Sequence, residues 1–250
     1  KSLIGLGDFI KGSLYLMGLC DKHGYKVQID ISNHPMGKYF VLPTDFIKPD
    51  YRKITMWSFA DNCIPSLKVS SYYTCCRKSH LPKDIKQEHL EYMKNALTPT
   101  VELLQNVDNI LAKYSLNKKG YDIIHIRMGD NYLFSHGKVN IAVLIERKIC
   151  KMVNMSKHYI ILSDNAHIKQ HLKKYDNFHT EESSTIVHLG RANEDDNYLD
   201  SITDFFLMTH ANKIWTFSSY RWGSGFSECA SVLHKIPLIK VHIDAMGLLL

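Results

Sequence analysis

The second half of the sequence alternates short apolar runs with amphipathic segments, and this alternation constrains the fold more than any motif does. The apolar runs, which predict strands, cover residues 121–126, 159–163, 185–187, 213–217 and 238–241. The amphipathic segments between them, at 140–153, 166–175, 198–210 and 224–233, have helical periodicity. Strands that alternate with helices form parallel sheets covered on both faces. The sequence therefore predicts an α/β fold with a doubly wound, Rossmann-like sheet.

The first half of the chain has a less regular pattern. Gly5-Leu6-Gly7-Asp8 predicts a glycine loop, the helical periodicity of 9–23 ends before Gly24, and 25–31 predicts a strand. Prolines break up residues 32–66, after which we predict a strand at 67–74 and helices at 83–97 and 99–114. The turn at 117–120 is the best domain boundary, so we expect one domain at 1–116 and a second, ligand-binding domain at 117–250.

Composition excludes some classes of protein and favours a partner of negative charge. The 250 residues carry a formal net charge of +6 without a basic run, so nucleic-acid binding is not favoured. The six cysteines contain no C-x-x-C pair, which indicates reduced thiols and favours the cytoplasm. The alternative location is a secretory lumen, because the sequence begins at Lys1 and not at Met. No apolar run approaches ~20 residues, so we expect no transmembrane segment.

The motif His125-Ile126-Arg127-Met128-Gly129-Asp130 follows a predicted buried strand. Open α/β sheets place their ligand-binding groups at the carboxyl ends of strands. His125 and Arg127 are two residues apart, so their side chains point to the same face. A guanidinium fork with a neighbouring imidazole suits a nucleotide phosphate. The alternative is a surface arginine paired with Asp130.

Three further strand ends carry polar groups. Asp164, in Ser163-Asp164-Asn165, could accept hydrogen bonds from a guanine or ribose, or could simply cap a helix. Arg191 follows a third strand and faces either phosphate or solvent. Ser218, Ser219 and Arg221 lie in a glycine-containing turn before a helix. Because helix N-termini present unpaired N–H groups, this turn is a candidate diphosphate site; the alternative is an ordinary capped helix.

These motifs together resemble those of the fucosyltransferases. His-x-Arg-x-Gly-Asp resembles the His-x-Arg-Arg-x-Asp signature of the α1,2-, α1,6- and protein O-fucosyltransferases. The segment 159–165 resembles the family's strand that ends in an acidic dipeptide, and 204–219 resembles the Asp-x-x-x-Leu…Thr-x-Ser-Ser block of the α1,6 enzymes. Gly5-Leu6-Gly7-Asp8 is similar to the family's Gly-x-Gly-Asn/Asp loop. The resemblance covers 5–22 and 121–235 and leaves 32–115 unexplained.

The resemblance implies a GT-B fold, in which two Rossmann-like domains face each other across a cleft. It implies inverting, metal-independent transfer from a GDP-sugar to a hydroxyl of a glycan or a protein, with no cofactor. The absence of a D-x-D triplet agrees with the absence of a metal ion. Met128 replaces the second arginine of the signature, and Asn165 replaces an acidic residue. GDP-fucose is therefore the leading donor, and a heptosyl- or rhamnosyl-type transferase or an inert binding module is an alternative.

Roles for single residues follow from the same resemblance. Arg127 would bind and stabilise the donor diphosphate, and His125 would line the nucleotide site. Gly5 and Gly7 would lie in the loop that faces the donor. The remaining donor-side residues would be Ser218, Ser219 and Arg221 at the phosphates, and Asp164 or Asp204 at the guanine or ribose. Asp8 is the available general base, or else the N-cap of helix 9–23.

Overall fold

The computed structural model describes residues 5–25, 27–32, 35–42, 54–58, 71–75, 81–129, 141–181 and 198–243, with the backbone alone at 54–58 and 71–75. Asp130, Arg191 and the predicted strand at 185–187 lie outside these residues. Strands β1 (Ile54–Ser58) and β2 (Ser71–Cys75) form a parallel pair. The strand predicted at 67–74 thus overlaps β2.

The central sheet has five parallel strands, four of which the alternation predicts. Its strands are β3 (Asp122–Arg127), β4 (Tyr159–Ser163), β5 (Phe178–His179), β6 (Lys213–Ser218) and β7 (Leu238–His242). They lie in the order β5-β4-β3-β6-β7, with every pair parallel. The chain therefore adds β4 and β5 on one side of β3. It then returns to the other side of β3, where it adds β6 and β7. Ligands of open α/β sheets bind at such a reversal of strand order.

Seven α-helices surround the two sheets within the described residues. They are α1 (Leu6–Lys22), α2 (Gln87–Ala96), α3 (Val101–Lys113), α4 (Ile141–Met152), α5 (Ala166–Leu172), α6 (Leu199–His210) and α7 (Gly225–His234). A 3-10 helix covers Pro35–Tyr39. Every helix predicted from the sequence is present, most within a few residues of the expected ends. None of these helices combines the length and the apolar character needed to cross a bilayer.

Alternate residues of the central strands pack into two separate hydrophobic clusters. Ile123, Ile160 and Ile214 pack on one face with apolar residues of α1, α2, α3, α6 and α7. Ile124 and Ile161 pack on the other face with residues of α4 and α5. Burial of alternate side chains on opposite faces confirms that helices cover both sides of the sheet. Because α1 to α3 share a cluster with α6 and α7, no break in the core marks residue 116, and the two-domain division stays a prediction.

Two local predictions for the N-terminal region are wrong. The expected glycine loop is the first turn of α1, with Gly5 as the N-cap, so Asp8 lies inside the helix and does not cap it. Buried Leu6 continues the apolar periodicity of Ile10 and Leu14 toward the N-terminus, so the residues of the expected loop that follow Gly5 belong to the helix. The expected strand at 25–31 is irregular in its described part, 27–31. There the Ile29 amide donates to the Tyr92 hydroxyl (3.1 Å) and joins no sheet.

Candidate functional site

The carboxyl ends of β3 and β6 lie side by side at the reversal of strand order. Arg127 and Ser218 are direct partners in the parallel register of these strands. The Ser219 amide donates to the Arg127 carbonyl (3.2 Å), and the Ser219 hydroxyl donates to the Met128 carbonyl (2.6 Å). The residues that follow the two strands are therefore joined, as their positions in the sequence predict.

Asp164, at the end of β4, holds the residues that follow β3. One carboxylate oxygen accepts from the Met128 amide (3.1 Å), and the other accepts from the Gly129 amide (3.2 Å) and the Arg127 guanidinium. The Arg127 side chain is 20% exposed and that of Asp164 is 11% exposed. The Asp164 carboxylate thus orients the guanidinium from within the protein, while neighbouring Asn165 caps α5 through its side chain.

The two serines after β6 use their hydroxyl groups inside the protein. Ser218 is fully buried; its hydroxyl donates to the Gly223 carbonyl (3.2 Å) and accepts from the Tyr220 amide (3.1 Å). The Ser218 hydroxyl thus shapes the turn between β6 and α7, and the Ser219 hydroxyl joins that turn to the end of β3. The resemblance implies that both serines cap phosphates, and this role stays a prediction. Ser224, the N-cap of α7, makes no side-chain capping hydrogen bond. The first N–H groups of α7 thus receive no cap from the Ser224 side chain.

His125 connects β3 to the first turn of α7. Its Nδ1 hydrogen bonds to the hydroxyl of buried Ser227, and its ring lies 5.9 Å from the Phe226 ring, centroid to centroid. Burial lowers the pKa of His125 to about 4, with a smaller contribution of the same sign from Arg127 and an opposing one from Asp164. The imidazole is therefore neutral near pH 7 and lies beneath the surface. The sequence gives no signal for Ser227, because the contact joins residues far apart along the chain.

The first turn of α1 packs against the first turn of α7. A Cβ at Gly7 would stand 3.0 Å from the Gly225 carbonyl carbon and the Phe226 nitrogen. Lys11, 5% exposed, also lies against Gly225 and pairs with the Asp8 carboxylate at 2.9 Å. The Asp8 side chain itself is 47% exposed. The structure thus brings Asp8 and a buried cation to the helix start that follows β6.

Two further predicted residues lie on opposite sides of this centre. Asp204, half-buried on α6, has its pKa raised to about 7 by burial, while Lys169 of α5 opposes the rise and Asp200 and Glu181 add to it. Two of these charged residues, Lys169 and Glu181, lie on the segments that follow β4 and β5. Arg221 is exposed in the turn after β6. The ligand-binding roles of both residues stay predictions.

Within the described ranges, one group of side chains is compact enough to hold a metal ion. It consists of Asp21, Glu88 and His89, where the end of α1 meets α2. Lys86 already ion-pairs with Asp21 (2.7 Å) and Glu88 (3.4 Å), so a cation occupies the group. Asp8 lies at the opposite end of α1. This group therefore adds nothing to the centre formed by β3, β6 and α7.

The chain is similar in structure to fucosyltransferases. NodZ, a fucosyltransferase from Bradyrhizobium, aligns over 97% of this chain and 93% of its own, with a TM-score of 0.57 and 12% sequence identity. A variant of Arabidopsis thaliana FUT1 in complex with GDP aligns over 96% of this chain and 69% of its own, with a TM-score of 0.54 and 14% identity. The chain has the GT-B fold. No protein-family model matches the sequence, and no curated protein does. The GT-B fold expected from the sequence motifs is thus confirmed by structure.

Proposed function

We propose that this chain is an inverting glycosyltransferase that transfers fucose from GDP-fucose to a hydroxyl group of a glycan or a protein. One observation carries the proposal: at the reversal of strand order in a GT-B fold, the backbone of Arg127 pairs with Ser218 and Ser219, and His125 of the same strand bonds to Ser227 in the first turn of α7. One protein of the same fold, NodZ, is a fucosyltransferase, and the similar FUT1 structure is a complex with GDP. A guanidinium fork and the N–H groups of a helix N-terminus each suit the diphosphate of such a donor.

On the donor side, the chain supplies positive charge where negative charge develops. As the bond between C1 of fucose and the phosphate oxygen breaks, the electron pair leaves with GDP. Arg127, oriented by Asp164, and the N–H groups at the start of α7 stabilise that oxygen. Arg221 contributes from the exposed turn. These groups need no metal ion, so metal independence is part of the proposal.

On the acceptor side, Asp8 is the general base. Its carboxylate is half exposed at the start of α1, and Lys11 fixes it by an ion pair at 2.9 Å. Asp8 takes the proton of the acceptor hydroxyl while the acceptor oxygen bonds to C1 from the face opposite the leaving GDP. Attack from that face inverts the configuration at C1.

At the nucleoside end, Asp204 is a better candidate than Asp164 for contact with the guanine or ribose. The Asp164 carboxylate already accepts three hydrogen bonds from the residues that follow β3. Asp204 lies near Lys169, on the side of the sheet where α5 and α6 begin. His125, neutral and buried, supports the site from below through Ser227.

An inert GT-B module that binds a nucleotide or glycan is the second candidate. The observation that favours it is the internal use of polar groups, since Ser218, Ser219 and Arg127 all bond within the protein. Hydrolysis of GDP-fucose, or its transfer to an acceptor, separates the two candidates. A module without catalysis would bind GDP and leave GDP-fucose intact.

The first test compares nucleotides by thermal shift. A ligand that binds only the folded state stabilises it by RT ln(1 + [L]/Kd), so at equal concentration a tighter ligand raises the melting temperature more. We expect GDP and GDP-fucose to raise it more than UDP or ADP do, and GDP-fucose to be hydrolysed. An equal response to all three diphosphates would contradict a GDP-sugar donor.

Arg127→Ala tests the centre itself. Loss of one stabilising contact to a leaving group typically lowers the rate by a factor of about 10²–10³. We expect that loss in Arg127→Ala, with a smaller one in Arg127→Lys, which keeps the charge but not the planar fork. The matched control is Arg147→Ala, which removes an exposed arginine from α4 and should leave the rate unchanged. Turnover at the wild-type rate in Arg127→Ala excludes this residue from the mechanism.

A further inference from the structure

Trp222 exposes a large aromatic surface in the turn between β6 and α7. It is 41% exposed, and one face of its indole stacks on Tyr220, with the ring centroids 4.9 Å apart and the planes 19° from parallel. An exposed indole at the candidate site is available to a ligand, because aromatic faces bind through large contact areas at low entropic cost. The two rings together are called the Tyr220–Trp222 platform below.

The surrounding backbone holds this platform in a defined position. The Tyr220 ring lies directly over Gly129, where a side chain would meet the ring's Cζ at 2.6 Å, and Gly129 has a φ of +78° that favours glycine. The Tyr220 amide donates to Ser218, and the Gly223 amide donates to the Tyr220 carbonyl (3.0 Å). The platform therefore rests on the residues that follow both β3 and β6.

The position of the Tyr220–Trp222 platform along the sheet separates the platform from the nucleoside end of the proposed site. Gly223, next to Trp222, lies against the Lys240 side chain of β7, whose Cδ would be 3.3 Å from a Cβ there. Lys169 lies on α5, which follows β4, and Asp204 interacts electrostatically with Lys169 and with Glu181, which follows β5. Arg127 lies between the two sides, on β3. A donor whose base lies toward Asp204 and whose diphosphate lies at Arg127 leaves the platform to the sugar end and the acceptor.

We infer that the Tyr220–Trp222 platform is a stacking subsite for a sugar ring of a glycan acceptor. The C–H bonds on one face of a pyranose ring carry partial positive charge and pack against the negative face of an indole. The exposed guanidinium of neighbouring Arg221 can donate to the ring's hydroxyl groups. The inference rests on the proposed function, because it takes the acceptor to be a glycan. A planar guanine base would use the same stacking chemistry, so the test must separate the two.

The test measures the binding of glycan and nucleotide separately. The probes are β-1,4-linked tetrasaccharides of glucose, mannose and N-acetylglucosamine, titrated by calorimetry, and GDP, titrated in the same way. We expect Trp222→Ala to weaken the binding of the best tetrasaccharide about tenfold and to leave GDP binding unchanged. Trp222→Phe, which keeps a smaller aromatic face, should lose less. Tyr25→Ala removes another exposed aromatic residue and should change neither affinity.

Each remaining outcome decides a different point. Weaker GDP binding with unchanged glycan binding in Trp222→Ala would assign the platform to the base and overturn the inference. So would equal glycan affinity in wild type and variant, or no binding of any tetrasaccharide to the wild type. Wild type that binds glycan through Trp222 but neither hydrolyses nor transfers fucose would refute the proposed function and keep the subsite. If the wild type hydrolyses GDP-fucose but Trp222→Ala binds glycan as tightly as the wild type does, the subsite is refuted and the proposed function stands.

Discussion

Charged side chains near the carboxyl edge of the sheet differ in how their charge is compensated. Asp164 accepts hydrogen bonds from a guanidinium and two backbone amides, so each of its carboxylate oxygens has partners within the protein. Asp204 has its pKa raised to about 7 by burial, and the opposing effect of Lys169 does not restore it. An isolated carboxyl group titrates near pH 3.9. Ionised Asp204 therefore costs folding free energy in the ligand-free protein.

Replacing Asp204 by asparagine should reveal that cost as a pH-dependent gain in stability. Between about pH 4 and 7 the folded state keeps a proton on Asp204 that the unfolded state has lost, so stability from this group declines as pH rises. Asp204→Asn should thus raise the urea midpoint at about pH 8, with a gain that shrinks toward about pH 4. Asp176→Asn, at an exposed position before β5, is the control. A gain of equal size at both pH values would argue against the raised pKa.

At the scale of secondary-structure elements, the contact between α1 and α7 determines where Asp8 lies. Gly7 packs on the backbone of Gly225 and Phe226, and buried Lys11 fills the space beside Gly225. Close helix contact of this kind requires a residue without a side chain. The two glycines expected to face a ligand therefore have different roles in this structure: Gly5 begins α1, and Gly7 allows the helices to approach.

Gly7→Ala should push the two helix starts apart. Its Cβ would stand 3.0 Å from backbone atoms that cannot rotate away, and such overpacking typically costs about 1–3 kcal/mol in the free energy of unfolding. Gly18→Ala is the matched control in the same helix, since a Cβ there would meet nothing within 4 Å. That change should stabilise the protein by about 0.5–1 kcal/mol through helix propensity. Chemical denaturation measures both, and equal effects of the two substitutions would disprove the close contact.

At the scale of the whole molecule, histidines on different elements have lowered pKa values, which favour the neutral imidazole in the folded state. Burial lowers the pKa of His125 to about 4, and it does the same for His234 at the end of α7, helped there by Lys94. In the unfolded chain both would titrate near pH 6.5. Between about pH 6.5 and 4 the unfolded state therefore binds two more protons at these sites, and Asp204 offsets one of them.

The protein should accordingly lose stability as the pH falls from about 6.5 to 4. Stability rises with pH wherever the unfolded state binds more protons, and the histidines with lowered pKa values, among them His179 and His210, outnumber Asp204. Thermal unfolding followed across this range measures the slope. His234→Asn should flatten it, whereas His23→Asn, at an exposed position after α1, should not. A protein more stable at pH 4 than at pH 6.5 would contradict the histidine assignment.

Much of this structure is predictable because helical and strand periodicities are local. The helices α1 to α7 and four of the central strands follow from patterns of apolar residues. Strand β5 does not, since Phe178 and His179 are too few to form a pattern. The irregular residues 27–31 have strand-like composition, yet Ile29 finds its hydrogen-bond partner in a tyrosine of α2. Tertiary contacts override propensity at such positions.

The candidate site is predictable in its location more than in its contacts. Strand ends and the α/β topology place Arg127 beside Ser218 without any coordinates. The sequence does not show that Ser219 bonds to Met128, or that Ser227 bonds to His125, because these bonds join residues distant along the chain. Lys11 follows Asp8 by three residues, a helical spacing that is informative only once α1 is known to begin at Leu6.

The edge strands of the central sheet, β5 and β7, affect how this molecule can bind other proteins. β5 pairs with β4 through two residues, and β7 carries exposed Lys240 and His242. Long, flat, apolar edge strands pair with strands of other chains and promote aggregation, whereas short or charged edge strands resist both. In the residues that the structure describes, the sheet thus offers little template for β-augmentation. Contacts with macromolecules should instead come from side chains of its loops and helices.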